Sequence, residues 1–282
     1  AGNKFTDVAG NNNSAASQFA WTYDNVVPTM TITSTTSGVS SGSTTNDSTI
    51  ALRFTASEAA TGFAANDITV SGGSLSSFAA VSSTVYTATF TPSAAGATSV
   101  DVAGNKFTDV AGNNNSAASQ FTWTYDNVVP TLAITSTTSG VTSGSTTNDS
   151  TIALRFTSSR ATSDFVVGDI TVSGGSLSSF TAVSSTVYTA ILTPNTAGSV
   201  PVDVAGNKFT DAVGNSNTAA SQFAWTYDNT SPTVTITGPT GVASEAFDVI
   251  VTFSESVSGL TANEITVTNG SVTSLSGSGA TY

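Results

Sequence analysis

A long segment of this chain occurs three times at a fixed spacing, and this repeat limits the possible folds more than any other feature. The string AGNKFTDVAGNNNSAASQF begins at Ala1 and again at Ala103, and a close variant, AGNKFTDAVGNSNTAASQF, begins at Ala205. The resulting period of 102 residues is too long for a solenoid unit of about 20 to 50 residues. It matches the length of a small domain, so the sequence predicts a row of similar domains.

Within one period, short runs of alternating apolar and polar residues are separated by clusters of Gly, Ser, Thr and Asn. The run from Ile50 to Ala56 places every second side chain, all of them apolar, on one face, which is typical of a half-buried β-strand. The paired glycines Gly72 and Gly73 supply the positive φ that a tight hairpin needs. About seven such runs follow one another in each period, so the sequence predicts an all-β chain of antiparallel β-sandwiches.

Trp21, Trp123 and Trp225 lie at the same position of the repeat, on an alternating apolar run between Phe and Tyr residues. A row of aromatic side chains can form a sugar-binding platform, or it can pack inside the sandwich. The chain has no cysteine, so no disulfide can anchor the core between the two sheets. We therefore predict that these tryptophans are core residues.

The junction between domains coincides with the phrase TYDNVVPT, which begins at Thr22 and Thr124 and returns as TYDNTSPT at Thr226. The proline of this phrase opens the next first strand, where its missing N–H is tolerated. Linkers of only a few residues predict a semi-rigid array. The predicted domains are the C-terminal loop and last strand of a truncated repeat at 1–25, complete repeats at 26–127 and 128–229, and the N-terminal part of a truncated repeat at 230–282.

Both ends of the chain interrupt a repeat, so we expect the native protein to be a longer array with its N-terminus upstream. An alternative is that neighbouring chains complete each other's end domains. The two end fragments together would still lack the segment equivalent to Thr87–Val102, which favours the longer array.

Charge is scarce and mainly acidic, because charged residues make up 9% of the chain and its net charge is −12. The absence of histidine and cysteine excludes imidazole acid–base catalysis, thiolate nucleophiles and zinc sites of the Cys/His kind. Six basic residues argue against nucleic acid as a partner, and no apolar run reaches the roughly 18 residues that span a bilayer. We expect neither an enzyme nor membrane insertion, and cations are the natural partners.

Antiparallel strands bring alternate loops to the same end of a sandwich, and in this chain those loops carry acids. The linker with Asp24, the loop between Glu58 and Asp67, and the loop that contains Asp109 should meet at one end of the repeat. Close carboxylates repel one another by on the order of 1 kcal/mol per pair, which a divalent cation relieves. An all-oxygen ligand set favours calcium over zinc or copper. The sequence therefore predicts Ca²⁺ at the domain joints.

Equivalent positions of the other repeats extend this set of candidate ligands. They are Asp126, Asp169, Asp228, Glu255 and Glu264. The second repeat departs from the pattern, because Arg160 occupies the position of Glu58. A cation cannot coordinate Ca²⁺, so either Glu58 and Glu255 are not ligands, or the site of the second repeat is weaker or replaced by a salt bridge. Acids interpreted only as turn residues that cap their own backbone are Asp47, Asp149, Asp164 and Asp248.

Four segments of the chain have a recognisable pattern. They are FSESVSGLTANEITVTNGSV at Phe253, NDITVSGGSLSSF at Asn66, YTATFTPSAAGATSVDVAG at Tyr86 and FTDVAGNNNSAASQFTWTYDN at Phe107. These segments resemble the tandem bacterial Ig-like repeats of very large secreted surface proteins, chiefly adhesins and biofilm proteins. The resemblance covers essentially the whole chain. It implies Ig-like β-sandwiches, export to the cell surface, and service as a stalk that holds a separate ligand-binding tip away from the cell.

The resemblance also bears on the candidate ligands, because related adhesin repeats often bind Ca²⁺ near domain junctions. It implies this role for the linker aspartates Asp24, Asp126 and Asp228. It extends the same role to the aspartates of the DVAGN and DAVGN loops. These are Asp7, Asp109 and Asp211.

Three hypotheses on function are open. The first is a structural extender of a bacterial surface adhesin or extracellular fibre with calcium-stiffened joints. The second is an array of carbohydrate- or surface-binding modules that gains affinity through avidity, which an exposed Trp123 would favour. The third is lateral assembly with other copies of the chain into a filament or surface layer through Thr-rich edge strands. All three place the chain outside the cell.

Overall fold

The structure is a computed structural model that describes residues 1–282, and its regular elements are strands and three short 3-10 turns. The chain divides into two compact units. They are Ala1–Pro130 with Phe209–Asn217, and Thr131–Lys208 with Thr218–Tyr282. No helical segment has the length and hydrophobicity needed to cross a membrane. The all-β architecture predicted from the sequence is confirmed.

The first unit contains one β-sandwich, built from residues of the first complete repeat. Its strands are β1 (Met30–Ser34), β2 (Thr44–Thr45), β3 (Ile50–Ala56), β4 (Ile68–Ser71), β5 (Gly73–Ala80), β6 (Val85–Pro92), β7 (Gly96–Val102) and β8 (Phe121–Tyr125). One sheet has the order β1-β3-β6-β5 and the other the order β2-β8-β7-β4. The hairpin predicted at Gly72 and Gly73 is therefore wrong, because β4 pairs with β7 and β5 pairs with β6, so the turn connects strands of different sheets. Only Gly72 of this pair has a positive φ. A 3-10 turn at Ala65–Asp67 precedes β4.

The sandwich has one strand more than the sequence predicted, and that strand introduces parallel pairing. Strand β2 has two residues and pairs in parallel with β8, with Thr44 opposite Thr124. The other neighbouring strands pair antiparallel. Two residues are too few to produce a visible alternation of apolar and polar side chains, so sequence reasoning misses such a strand.

The core lies between the two sheets and follows the predicted alternation. Along β3, Ile50 and Leu52 have 0% and 1% of their surface exposed, while the alternate residues Ala51 and Arg53 are exposed. Across the sandwich, the rings of Phe90 and Trp123 meet edge to face with centroids 4.6 Å apart. Aromatic pairs of this geometry add to the stabilisation that burial provides.

Two loops are joined at one end of this sandwich, and both contribute residues to the candidate site. Phe63 of the loop 57–66 packs against Phe107 of the loop 103–117, with ring centroids 5.3 Å apart. The backbones of Thr61 and Thr108 exchange two hydrogen bonds of 2.7 and 3.1 Å. The loop 103–117 is also tied to the preceding linker, because the Ser116 N–H donates to the Pro28 carbonyl at 3.0 Å.

The second unit contains a second sandwich and a single further sheet. Its strands are β9 (Leu132–Ser136), β10 (Thr146–Thr147), β11 (Ile152–Ser158), β12 (Ile170–Val172), β13 (Gly175–Ala182), β14 (Val187–Pro194), β15 (Gly198–Val204), β16 (Phe223–Tyr227), β17 (Val234–Thr237), β18 (Ile250–Val257) and β19 (Gly279–Thr281). The sheets have the orders β13-β14-β11-β9, β10-β16-β15-β12 and β17-β18-β19. The two remaining 3-10 turns are Val167–Asp169 and Ala262–Glu264.

The prediction that the tryptophans are core residues is confirmed at two positions and wrong at one. Trp123 and Trp225 have 2% and 1% of their surface exposed. Trp21 is 71% exposed, because residues 1–29 lie in no strand and no sheet of the structure covers its ring. A core position is created by what packs against it, and a run of apolar residues alone does not supply that partner.

Candidate metal centre

Three carboxylates meet at the loop-bearing end of the first sandwich. Asp24, Glu58 and Asp109 each offer one carboxylate oxygen, and these oxygens all lie within 4.8 Å of one another. Asp24 belongs to the linker before β1, Glu58 follows β3, and Asp109 lies in the loop before β8. The loops of Glu58 and Asp109 are held together by the contact between Phe63 and Phe107, and the linker is tied to the loop of Asp109 by a hydrogen bond from Ser116 to Pro28.

Asp109 is held by a tight local turn. Its Oδ1 accepts a hydrogen bond of 2.8 Å from the Asn113 N–H, and its Oδ2 accepts one of 2.7 Å from the Asn113 side-chain amide. Only 3% of its surface is exposed. Burial alone would raise the pKa of Asp109, but the hydrogen bonds from Asn113, Gly112 and Ala111 outweigh burial and lower this pKa below its ordinary value. Asp109 is therefore a fixed, ionised group.

Glu58 has the opposite electrostatic situation. Its Oε1 is buried and has no hydrogen-bond partner. Burial, followed by the negative charges of Asp24 and Asp109, raises the pKa of Glu58 above its ordinary value. A buried oxygen without a donor, facing two other carboxylates, fits a cation better than it fits any neutral group of the protein.

The side chain of Asn113 joins the linker to the loop. Its Nδ2 donates to the backbone carbonyl of Asp24 at 3.2 Å and to Oδ2 of Asp109 at 2.7 Å. The Asp24 carboxylate in turn accepts from the Val26 N–H at 3.0 Å. We call the paired hydrogen bonds of the asparagine side chain the amide clamp.

The amide clamp occurs again at the next linker. The Nδ2 of Asn215 donates to the carbonyl of Asp126 at 3.1 Å and to Oδ2 of Asp211 at 3.1 Å. The Asn215 Oδ1 also accepts from the side-chain amide of Asn46 at 3.4 Å. Asp211 is 6% exposed and accepts further hydrogen bonds from the Val213 and Asn215 backbone. Sequence reasoning did not assign this role to the asparagines, although the recurring Asp-x-x-x-Asn spacing signals it.

The same turn forms around Asp7 near the N-terminus. Asp7 accepts two backbone hydrogen bonds, from Ala9 and Asn11, and a third from the Asn11 side chain, each 2.9 Å long. The side-chain hydrogen bond from Asn11, followed by that from its backbone, lowers the pKa of Asp7. Asp7 is exposed, and it does not belong to the group of three carboxylates that contains Glu58.

The acids at the far end of the loop 57–66 and its counterparts turn back on their own backbone. Asp67 accepts from the Ala64 N–H at 2.8 Å, and Asp169 accepts from the Val166 N–H at 2.9 Å. Glu264 accepts from the Thr261 hydroxyl at 2.9 Å, and hydrogen bonds from Thr261 lower its pKa. The structure therefore gives these three predicted ligands a place as caps of the 3-10 turns and leaves them out of the group around Glu58.

The remaining predicted ligands occupy equivalent positions without a complete carboxylate group. Asp126 and Asp228 each accept from the N–H two residues ahead at 3.0 Å, as Asp24 does. The Oε1 of Glu255 is buried without a partner, like that of Glu58. In the second repeat Arg160 stands at the Glu58 position, so the sequence of that repeat cannot supply the same three carboxylates.

Comparison with known proteins decides the family. Three consecutive segments of the chain match the sequence profile of the bacterial Ig-like domain, at residues 24–125, 126–227 and 228–282. The chain belongs to this family. Among curated protein sequences, none is significantly similar to these Ig-like repeats.

Solved structures to which this chain is similar include bacterial adhesins. The Ig-like chain is 14% identical to the Escherichia coli adhesin FdeC, with 84% of this chain and 76% of that chain covered and a TM-score of 0.35. Yersinia pseudotuberculosis InvD is 16% identical, with coverage of 81% and 69% and a TM-score of 0.32. The C-terminal domain of Streptococcus agalactiae BspA is 8% identical, with coverage of 71% and 99% and a TM-score of 0.39.

Proposed function

We propose that this chain is a spacer segment of a bacterial cell-surface adhesin or extracellular fibre, in which Ca²⁺ stiffens the joint before the first complete repeat. The family match supports the spacer role, because its three Ig-like segments follow one another with no residue between them. Domains joined without a flexible linker cannot swing freely, and a row of them keeps its two ends apart.

The group of Asp24, Glu58 and Asp109 carries the calcium part of the proposal. Its carboxylate oxygens lie within 4.8 Å of one another, and the Glu58 Oε1 is buried without a donor. A divalent ion held by these three residues would remove the repulsion that raises the pKa of Glu58. Because Asp24 belongs to the linker and Asp109 to a loop of the repeat, the ion would connect the two.

The scale of the effect follows from mass action. Extracellular calcium modules have dissociation constants of roughly 10⁻⁴ to 10⁻³ M. A free-ion concentration about 100 times the dissociation constant stabilises the bound form by about 2.7 kcal/mol. Removing the ion should leave the sandwich folded, since its core does not depend on the site, and should loosen the linker against the loop.

The proposed spacer role also has consequences for the location, activity and partners of the chain. It places the chain at the cell surface, with neighbouring repeats as its main contacts and a ligand-binding tip elsewhere in the native protein. It assigns the chain no catalytic activity, which agrees with a sequence that has no histidine and no cysteine.

The two alternative functions have less support. An array of carbohydrate-binding modules would need an exposed aromatic platform in each repeat, but the tryptophans of the two complete repeats, Trp123 and Trp225, are 2% and 1% exposed, and only Trp21 is exposed. Lateral assembly would need a regular sheet edge, but the edge strand β5 is interrupted by a register shift between Ser76 and Ala79. Bulges of this kind are a common way to prevent edge-to-edge pairing.

Small-angle X-ray scattering of the 282-residue chain in calcium and in excess EGTA tests the proposal. We expect a narrower distance distribution with calcium, and unchanged far-UV circular dichroism in both buffers. E58Q should give the EGTA result in either buffer, whereas E245Q, an equal charge change at an exposed residue, should behave as wild type. Identical scattering of the wild-type chain in both buffers would overturn the calcium part and leave the spacer role.

A further inference from the structure

The third Ig-like segment contains the one Asn-Gly dipeptide of the sequence, Asn269–Gly270. In the two complete repeats the same position holds Gly72–Gly73 and Gly174–Gly175, at the turn between two strands. The first glycine of each pair has a positive φ, 76° at Gly72 and 72° at Gly174, and Asn269 has a φ of 57°. Asparagine tolerates this left-handed conformation better than most residues with a side chain. The turn can therefore accommodate Asn where the other repeats have Gly.

The surroundings of Asn269 leave its side chain free to react. Asn269 and Gly270 are both exposed, and residues 265–277 lie in no strand. Neither the Asn269 side-chain amide nor the Gly270 N–H takes part in a hydrogen bond. Glycine as the following residue adds no side chain that could obstruct an approach of its nitrogen to the asparagine side chain.

The asparagine of an Asn-Ser dipeptide in the first repeat shows the contrasting situation. Asn115 precedes Ser116 and is only 3% exposed. Its Nδ2 donates to the Ala103 carbonyl at 2.9 Å and to the Ser116 carbonyl at 2.7 Å. Its Oδ1 accepts from the N–H groups of Lys106 and Phe107 at 2.7 and 3.0 Å. These four hydrogen bonds hold the side chain away from a reactive approach.

We propose that Asn269 is a site of spontaneous deamidation to aspartate and isoaspartate. The Gly270 backbone nitrogen loses its proton to solvent and attacks Cγ of Asn269, so that an N–Cγ bond forms. The Cγ–Nδ2 bond then breaks, and the amide nitrogen leaves as ammonia with a proton from solvent, which gives a five-membered succinimide. Water opens this ring at the backbone carbonyl to give isoaspartate, or at Cγ to give aspartate. No oxidant, reductant or enzyme is needed.

The modification changes both the charge and the backbone of the turn. Either product adds a negative charge to a chain whose net charge is already −12. Isoaspartate also carries the main chain through Cβ and Cγ, which lengthens the turn by one carbon atom. The Gly-Gly turns of the complete repeats cannot react in this way because glycine has no side chain. The turn of the third segment can thus undergo a modification that the equivalent turns of the two complete repeats cannot.

Incubation of the whole chain at mildly alkaline pH, followed by peptide mass spectrometry, tests the proposal. Hydroxylamine, which cleaves succinimides, should release a fragment that begins at Gly270. N269G, which restores the Gly-Gly turn of the other repeats, should lose this fragment completely. The Asn269 peptide should gain the mass of a deamidation while the Asn115 peptide remains unchanged. The proposal is wrong if Asn269 stays intact while a synthetic peptide of residues 264–275 deamidates in the same solution, or if Asn115 reacts first.

Discussion

The linker before the first complete repeat and the linker before the second are held in the same way but differ in one neighbouring residue. Asn113 donates to the carbonyl of Asp24 at 3.2 Å, and Asn215 donates to that of Asp126 at 3.1 Å. Beside the first clamp the sequence has Glu58, whereas the equivalent position of the second repeat is Arg160.

This difference separates two ways of fixing a joint. The amide clamp is complete without an ion, because each asparagine Nδ2 finds two oxygen acceptors in the protein. The carboxylate group differs, because the Glu58 Oε1 is buried and has no donor, and under the proposed function an ion would fill this place. We therefore expect every clamped linker to resist motion and only a linker beside a glutamate to respond to calcium.

The largest expected effect comes from giving the first repeat the residue of the second. E58R places a cation among the proposed ligands. It should weaken calcium binding by at least about a hundredfold, because the loss of a residue that only supports a metal ligand already costs up to about that much. The shift of the thermal unfolding midpoint on adding calcium should disappear with it. Differential scanning calorimetry with and without calcium measures this shift. The charge-matched control E245R, at an exposed residue, should keep it.

An intermediate effect is expected from removing the clamps. N113A removes the two hydrogen bonds that the Asn113 side chain donates, and N215A removes the two that Asn215 donates together with the one that its Oδ1 accepts from Asn46. Each such bond contributes about 0.5–1.5 kcal/mol to stability. The unfolding midpoint should fall by several degrees, at about 4–8 °C per kcal/mol for a small domain. N195A, at an exposed asparagine, should leave it unchanged. If EGTA abolishes the fall in the unfolding midpoint that N113A causes, the clamp depends on the ion, and the two do not stabilise the linker independently.

The smallest expected effect is a pH dependence of the calcium-free protein. Burial and the charges of Asp24 and Asp109 raise the pKa of Glu58 above its ordinary value of 4.5. The folded state then binds more protons than the unfolded state, so stability falls as the pH rises from 4.5 through the raised pKa. E58Q should lack this fall. If the unfolding midpoints of wild type and E58Q in EGTA change with pH by the same amount, Glu58 is not the group responsible.

Much of the fold could be predicted because its signals are local. The alternation along Ile50–Ala56 marks β3, and the recurrence of the same strings marks the repeat. The two-residue strand β2 and its parallel pairing with β8 could not be predicted, since they arise from contacts between distant segments. The exposure of Trp21 has the same cause, because burial depends on a covering sheet.

The candidate site was accessible to sequence reasoning only in part. The order of antiparallel strands predicts that the loops of Asp24, Glu58 and Asp109 share one end, and the structure places their carboxylates together. Their role as ligands stays a prediction. Sequence reasoning could not show that Asp67 accepts a hydrogen bond from the Ala64 N–H, because the carboxylate of an aspartate can bind the backbone of its own turn or a partner elsewhere.

A calcium titration of the wild-type chain by isothermal titration calorimetry tests the central claim most directly. With Arg160 in place of a glutamate in the second complete repeat, the account predicts a single calcium site among the complete repeats. That site should be absent from E58R and present in E245R. No binding to the wild-type chain, or equal binding to E58R, would contradict the claim that Asp24, Glu58 and Asp109 hold the ion.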